Sequence, residues 1–250
     1  MSTVITSIDR RSPADRYGIK VGEKLLTING HEIIDVLDYR FYGYDAESVV
    51  TLSSPDGAVR EVRIRKEEGQ DLGLNFDTYL MDEMRSCSNH CIFCFVDQMP
   101  PNMRQSLYFK DDDARLSFLL GNYITLTNIS PREAQRIMDL HISPINVSVH
   151  ATDPQLHCTM LGNKNARQSL EYMRQFGKAG IVMNGQIVVC PGWNDGEHLR
   201  RSIEDLIEIG FHSCSVVPVG LTKYRDGAKG EGSVFRSENE AIMAYNTGEC

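Results

Sequence analysis

The sequence lacks any apolar run long enough to cross a membrane, which excludes a bilayer-spanning helix. Its opening residues, MSTVITSIDRRSPADRYG, contain no hydrophobic signal region, and this points to the cytoplasm. Basic charge is also short: 26 Lys and Arg stand against 34 Asp and Glu, for a net charge of −8. Binding to a phosphate backbone needs the opposite balance, so nucleic acid is not expected as a partner. There is no internal repeat, no low-complexity tract and only one tryptophan. The cysteines number seven, an odd count that does not suit a secreted disulfide framework. Three of them fall in Cys87-Ser-Asn-His-Cys91-Ile-Phe-Cys94, and no fourth follows nearby. In a reducing compartment such a cluster binds metal more often than it forms disulfides.

The chain has 250 residues, 41% of them apolar and 24% charged, enough for a packed core in one large domain or two ordinary ones. Residues 1–75 read as a small β-rich domain. Strands are expected at 4–8, 24–28, 49–53 and 59–65. Ser12-Pro13 opens a short helix, Asn29-Gly30 makes a hairpin turn, and a helix is expected over 36–44. The charged stretch KEEGQD at 66–71 marks a soft boundary. From 76 to 225 the pattern becomes strand then helix. Strands are expected at 123–127, 145–149, 186–189 and 213–219, with helices at 131–140, 166–178 and 198–209. Ser130-Pro131 with Glu133 forms a capping box. Strands alternating with helices imply parallel pairing under a helical cover. Residues 226–250 read as the start of a further region, with a capping box at Ser237–Glu240. Only about five strand–helix units fit after residue 75, which suggests that the chain is a fragment.

Structural zinc sites usually present two ligand pairs, four ligands in all. One tight triplet instead suits a four-iron cluster that leaves one iron without a protein ligand and open to a small molecule. A structural zinc site is the alternative. The C-x3-C-x2-C spacing with Phe93 before the last cysteine resembles the signature of radical S-adenosylmethionine enzymes. More closely, CSNHCIFCFVDQMP (87–100), SLYFKDDDARLSFLLGNYITLTN (106–128), SPINVSVHATDP (143–154), QIVVCPGWNDG (186–196) and VVPVGLTKYR (216–225) resemble a group of bacterial members of that superfamily. Those proteins carry an N-terminal PDZ domain and a C-terminal domain of unknown function. The resemblance implies an α/β fold: a partial (βα)6 TIM-like barrel of the radical S-adenosylmethionine type, preceded by a PDZ-like domain. It also implies that Cys87, Cys91 and Cys94 hold a [4Fe–4S] cluster. The open iron would chelate S-adenosylmethionine, and an electron from a flavodoxin or ferredoxin would cleave it to a 5′-deoxyadenosyl radical. Phe93 would pack near the adenine.

The ends of the strands should line the cofactor pocket. At the end of the second strand of the superfamily, a polar or Gly-Gly-Glu motif receives the methionine amino group. The matching positions here are Thr127 and Asn128, which lack the acid. Asn128 either accepts through its amide oxygen or merely turns the chain toward Ser130. Ser148 and His150 share strand parity and either face the pocket or leave His150 as a structural histidine. Gln186 opens the fourth strand and could meet the ribose or the methionine carboxylate. Cys190 reads as a small buried hydrophobe or a hydrogen-atom donor. Lys110-Asp111-Asp112-Asp113-Ala114-Arg115 is either a solvated loop or part of the approach to the cluster. Trp193 is a lid or a loop anchor. Gly73-Leu74-Asn75-Phe76 resembles a PDZ carboxylate-binding loop, which would capture a peptide or protein C-terminus; the alternative is a last strand. A rival reading of the whole chain is a PDZ-type binding module with a structural or redox-sensing metal site. RNA modification, known for related folds, is a third reading, and the acidic balance counts against it.

Overall fold

The computed structural model describes residues 3–220, Thr222 and Tyr224; the expected start of a further region at 226–250 lies outside them. The chain divides into two compact units, Met1–Met84 and the residues from Arg85 onward.

In the first unit, β1 (Ser7–Ile8) is followed by α1 (Pro13–Arg16), whose N-cap Ser12 accepts from the Asp15 amide. Then come β2 (Lys24–Ile28), β3 (His31–Glu32), α2 (Val36–Tyr42), β4 (Glu47–Ser53), β5 (Val59–Arg65) and β6 (Leu74–Asn75). The main sheet is antiparallel in the order β3-β2-β4-β5, and β6 closes back onto β1. Asn29 and Gly30 both take positive φ at the β2–β3 turn, as a two-residue hairpin with this sequence requires. β5 buries Val62 and Ile64 and exposes Glu61, Arg63 and Arg65, so its alternation is the one the sequence predicts. The first expected strand is shorter than 4–8: Val4 makes only an isolated bridge to Lys24.

The second unit is α/β. Its elements are α3 (Ala114–Leu120), α4 (Pro131–Asp139), β7 (Ile145–Ser148), α5 (Pro154–Leu161), α6 (Arg167–Lys178), β8 (Met183–Val189), α7 (Gly196–Ile209) and β9 (Ser213–Pro218). β7, β8 and β9 form a parallel sheet in chain order, and Ile124 adds a parallel bridge to Val147. This is the partial barrel. The two sheet faces differ. Ile145, Val147, Met183 and Ile187 are buried in the core with Leu170 and Phe176 of α6. The other face carries two polar rows set by the register, Asn146–Asn184–Ser213 and Ser148–Gln186–Ser215.

Two expectations need correction. Residues 123–127 do not form a strand beyond the bridge at Ile124, and Leu126 has φ +60°. The Thr125 amide donates to the Asp112 carboxylate at 2.6 Å instead of to a neighbouring strand. The shared parity of Ser148 and His150 also fails: β7 ends at Ser148, and His150 has φ +63°, which breaks the extended alternation. Helices α3 and α5, absent from the sequence reading, follow Asp113 and Asp153, each of which caps its helix.

Candidate metal and cofactor site

The cysteine loop is held from three sides. On entry, Ser86 bridges Asp111, and the Cys87 amide donates to the Lys110 carbonyl at 2.7 Å. In the middle, the His90 and Ile92 amides donate to the Leu161 and Met160 carbonyls, both at 2.9 Å. Those carbonyls end α5, where a helix has no internal partners for them, so the loop completes the helix. The approach is close: a Cβ at Gly162 would lie 2.4 Å from the His90 carbonyl oxygen. On exit, the Cys94 amide turns back to the Cys91 carbonyl, and a 3₁₀ turn follows at Val96–Gln98.

Inside the loop, Asn89 is buried and fully engaged. Its Nδ2 donates to the Thr125 and Thr127 hydroxyls at 3.0 and 2.9 Å, and its Oδ1 accepts from Asn163 Nδ2 at 2.7 Å. Asp112 takes the Thr125 amide and hydroxyl, each at 2.6 Å. Burial pushes the Asp112 carboxyl up to about 6, against the hydrogen bonds from Thr125. Asp113 is buried against Arg115 at 2.6 Å and accepts from the Arg85 amide. Asp111 accepts from Asn122 at 2.6 Å. The reading of 110–115 as a solvated loop is therefore corrected: these acids fasten the entry to the cysteine loop, because buried carboxylates persist only when paired or hydrogen-bonded.

The three cysteines are free and half-buried. Burial raises all three thiols, Cys87 to about 11, with Cys91 and Cys94 also driven upward. Opposing this, the Asn89 amide donates to Cys87 Sγ at 3.4 Å, and the Asp97 and Val96 amides act on Cys94. Such a set stays protonated until a metal displaces the protons, and amide donors at the sulfurs are a lever on iron–sulfur potentials. Among the described residues, no group of three His, Cys, Asp or Glu closes around a single ion. A cluster asks for something else, since each thiolate then ligates its own iron. The donor set fits that demand: three thiols on one loop, each of Cys87 and Cys94 within electrostatic reach of Cys91, with amide donors at two of the sulfurs.

The predicted pocket residues fall into three groups. Phe93 and His150 meet, with ring centroids 4.3 Å apart. His150 Nδ1 accepts the Val188 amide at 3.2 Å, so its proton sits on Nε2, and burial pushes the imidazole down to about 3. Behind this pair, Ala151, Met160 and Cys190 form a small core against which Phe93 and Trp193 pack; Trp193 is a loop anchor and Cys190 a buried hydrophobe. Thr127 and Asn128 lie against the cysteine loop. The Thr127 hydroxyl is held by Asn89, and Asn128 Nδ2 donates to the Ser86 carbonyl at 3.3 Å. Ser148 and Gln186 are register partners on the polar sheet face. In the row below them, Asn184 links Asn146 at 3.0 Å to Ser213 at 2.8 Å.

Asn89, Asn163, Asn194 and Ser215 carry no signal of a site role in the sequence, whereas Asp112 lies in the acidic run already singled out. Asn194 is fully buried and ties two strand ends together: it accepts from the Cys190 amide at 2.7 Å and donates to the His150 and Val188 carbonyls at 2.7 and 2.9 Å. The alternation of Asn184 and Gln186 with apolar neighbours was a usable signal for the polar face, as was Asp153-Pro154 for α5.

In the first unit, the Gly73 amide donates to Asp71 Oδ1 at 2.6 Å, and the Leu74 amide to the Tyr39 hydroxyl at 3.3 Å. That hydroxyl in turn donates to Asp71 Oδ1 at 2.8 Å. A cavity of about 280 Å³ lies between the end of α2 and residues 69–72.

A family model for a radical SAM-like domain matches residues 66–216, and a PDZ domain model matches residues 4–54. No curated protein matches the chain. A crystal structure of Streptococcus suis SuiB bound to S-adenosylmethionine aligns with 66% of this chain and 46% of its own, at 14% identity and a TM-score of 0.43. A second SuiB crystal structure aligns over 65% and 45%, at 15% identity and a TM-score of 0.42. The chain thus spans less than half the length of the SuiB chains it matches.

Proposed function

The chain belongs to the radical SAM-like domain family, and from that premise we propose that it is an enzyme that reductively cleaves S-adenosylmethionine. The observation that carries this reading is the Cys87–Cys94 loop, with three half-buried thiols, amide donors at Cys87 and Cys94, and no fourth cysteine nearby. When bound, a reduced [4Fe–4S] cluster supplies one electron to the sulfonium, which breaks the bond to the 5′ carbon and gives methionine and a 5′-deoxyadenosyl radical. The protein's part is to bind, orient and exclude water. Phe93 and neutral His150 form an apolar wall for the adenine, with His150 Nε2–H as a donor. Ser148, Gln186 and Ser215 offer polar groups for the ribose and carboxylate; their side chains make no hydrogen bond among the described residues. Asn128 offers its amide oxygen to the methionine ammonium, and Thr127 keeps the loop in register through Asn89. A flavodoxin or ferredoxin is the reductant.

The test is anaerobic reconstitution with iron and sulfide, reduction by dithionite, and assay of 5′-deoxyadenosine. Formation by the wild type, and its loss in C87A, C91A and C94A together with cluster iron, is the expected result. Retained product in any of the three variants contradicts the reading.

The PDZ match favours a second reading for the first unit alone, capture of a peptide C-terminus beside the cavity at residues 69–72. The Asp71 carboxylate on the Gly73 amide weighs against it.

A further inference from the structure

We propose that Lys110 is the charge that tunes the reduction potential of the cluster, held in place by both ends of the cysteine loop. This rests on the three-cysteine reading above. The backbone of Lys110 is fixed at the first cysteine: its carbonyl accepts from the Cys87 amide at 2.7 Å and from the Ser86 hydroxyl at 3.3 Å. Its side chain is fixed just beyond the last cysteine, where Nζ donates to Asp97 Oδ2 at 2.7 Å. Asp97 lies in the 3₁₀ turn that follows Cys94. One residue therefore spans the loop from entry to exit and carries a cation across it.

The lysine side chain is partly buried, 19% exposed against 37% for Asp97, and its ion pair lies at the solvent edge of the loop. Asp97 Oδ2 holds the ammonium at 2.7 Å, which keeps the charge beside the exit of the cysteine loop. Its field acts on all three thiols in the same sense, favouring the thiolate. Two carboxylates oppose it: Asp112 acts on Cys87 and Cys91, and Asp97 on Cys94. A nearby cation lowers the energy of the more negative, reduced cluster more than that of the oxidised one, and partial burial limits its screening by salt. Lys110 thus raises the potential toward one that a protein reductant reaches, while Asp97 fixes where the charge sits and moderates it.

The experiment compares reconstituted wild type, K110M, K110R and D97N for iron and sulfide content and for midpoint potential by spectroelectrochemical titration. K110M is expected to keep its iron and to shift to a more negative potential. K110R, which keeps the charge, should stay near the wild type. D97N removes the countercharge and should shift positive. An unchanged potential in K110M overturns the proposal. Shifts of the same sign in K110M and D97N also overturn it, because distortion of the loop would then outweigh charge. Should K110M lose its cluster, K110R and D97N carry the test: both held at the wild-type potential overturn the proposal, and a positive shift in D97N alone supports it. Wild-type protein that takes up zinc and no iron defeats the cluster reading itself, and the proposal with it. That failure appears in the metal analysis before any variant is made.

Discussion

Two loops in this chain carry ligand-binding signals, and they differ in what their polar groups already hold. At Gly73–Phe76, the Gly73 and Leu74 amides donate to Asp71 and Tyr39. A ligand carboxylate would have to displace an internal one. At Cys87–Cys94, the internal hydrogen bonds tie Asn89 to Thr125, Thr127 and Asn163, and the loop backbone to Lys110 and the end of α5. The thiols accept only backbone amides, at Cys87 and Cys94, and among the described residues the side chains of Ser148, Gln186 and Ser215 on the sheet face make no hydrogen bond. A site is recognised by groups that the fold orients but leaves unsatisfied, whereas groups that satisfy one another build structure.

That contrast can be broken first at Gly162. A side chain there meets the His90 carbonyl at 2.4 Å, and the position has φ +57°. G162A should cost about 2 kcal/mol or more, lower the melting temperature of the second unit and reduce iron loading. Full loading with unchanged melting would mean that α5 does not brace the loop.

Acid should separate the two units next. Burial holds His150 near 3 and His157 near 4, against an ordinary 6.5. The unfolded chain takes up these protons below pH 6.5, but the folded chain does not until pH 4 or below. The stability is therefore fully present above pH 6.5 and falls with pH through that window. At pH 5 each imidazole costs about 2 kcal/mol. Asp112 runs the other way: with its carboxyl near 6, its burial penalty is relieved as pH falls from 6 toward 4, offsetting part of the loss. Urea unfolding at pH 7 and pH 5 measures the net fall, and H157Q should lessen the pH dependence. Equal midpoints at the two pH values would contradict the burial argument.

The smallest change should make the first loop resemble the second. D71A frees the Gly73 amide and the Tyr39 hydroxyl from their internal carboxylate. Weak binding of peptides with a free C-terminal carboxylate, absent with amidated peptides and weaker in wild type, is the expected gain by fluorescence polarisation. Equal binding in wild type would show that Asp71 does not obstruct the loop.

How much could be read in advance follows the range of the interactions. The hairpin at Asn29-Gly30, the capping box at Ser130 and helices α4, α6 and α7 rest on neighbours in sequence, and all were legible. The Cys-x3-Cys-x2-Cys triplet stands out because its three residues lie within eight positions. Residues 123–127 were misread because an acid more than ten residues earlier, Asp112, takes the Thr125 amide. The burial of Asp112 and Asp113 was hidden for the same reason: adjacent carboxylates look solvated until distant partners are known. Asn89 and Asn194 gain their roles only through contacts across the fold, 74 residues to Asn163 and 44 to His150.

The central claim, that three cysteines hold a cluster with an open iron, is tested most directly by electron paramagnetic resonance. The reconstituted, reduced protein is measured before and after addition of S-adenosylmethionine. The account predicts a [4Fe–4S] signal whose g values shift on addition. A signal that the cofactor leaves unchanged would contradict it.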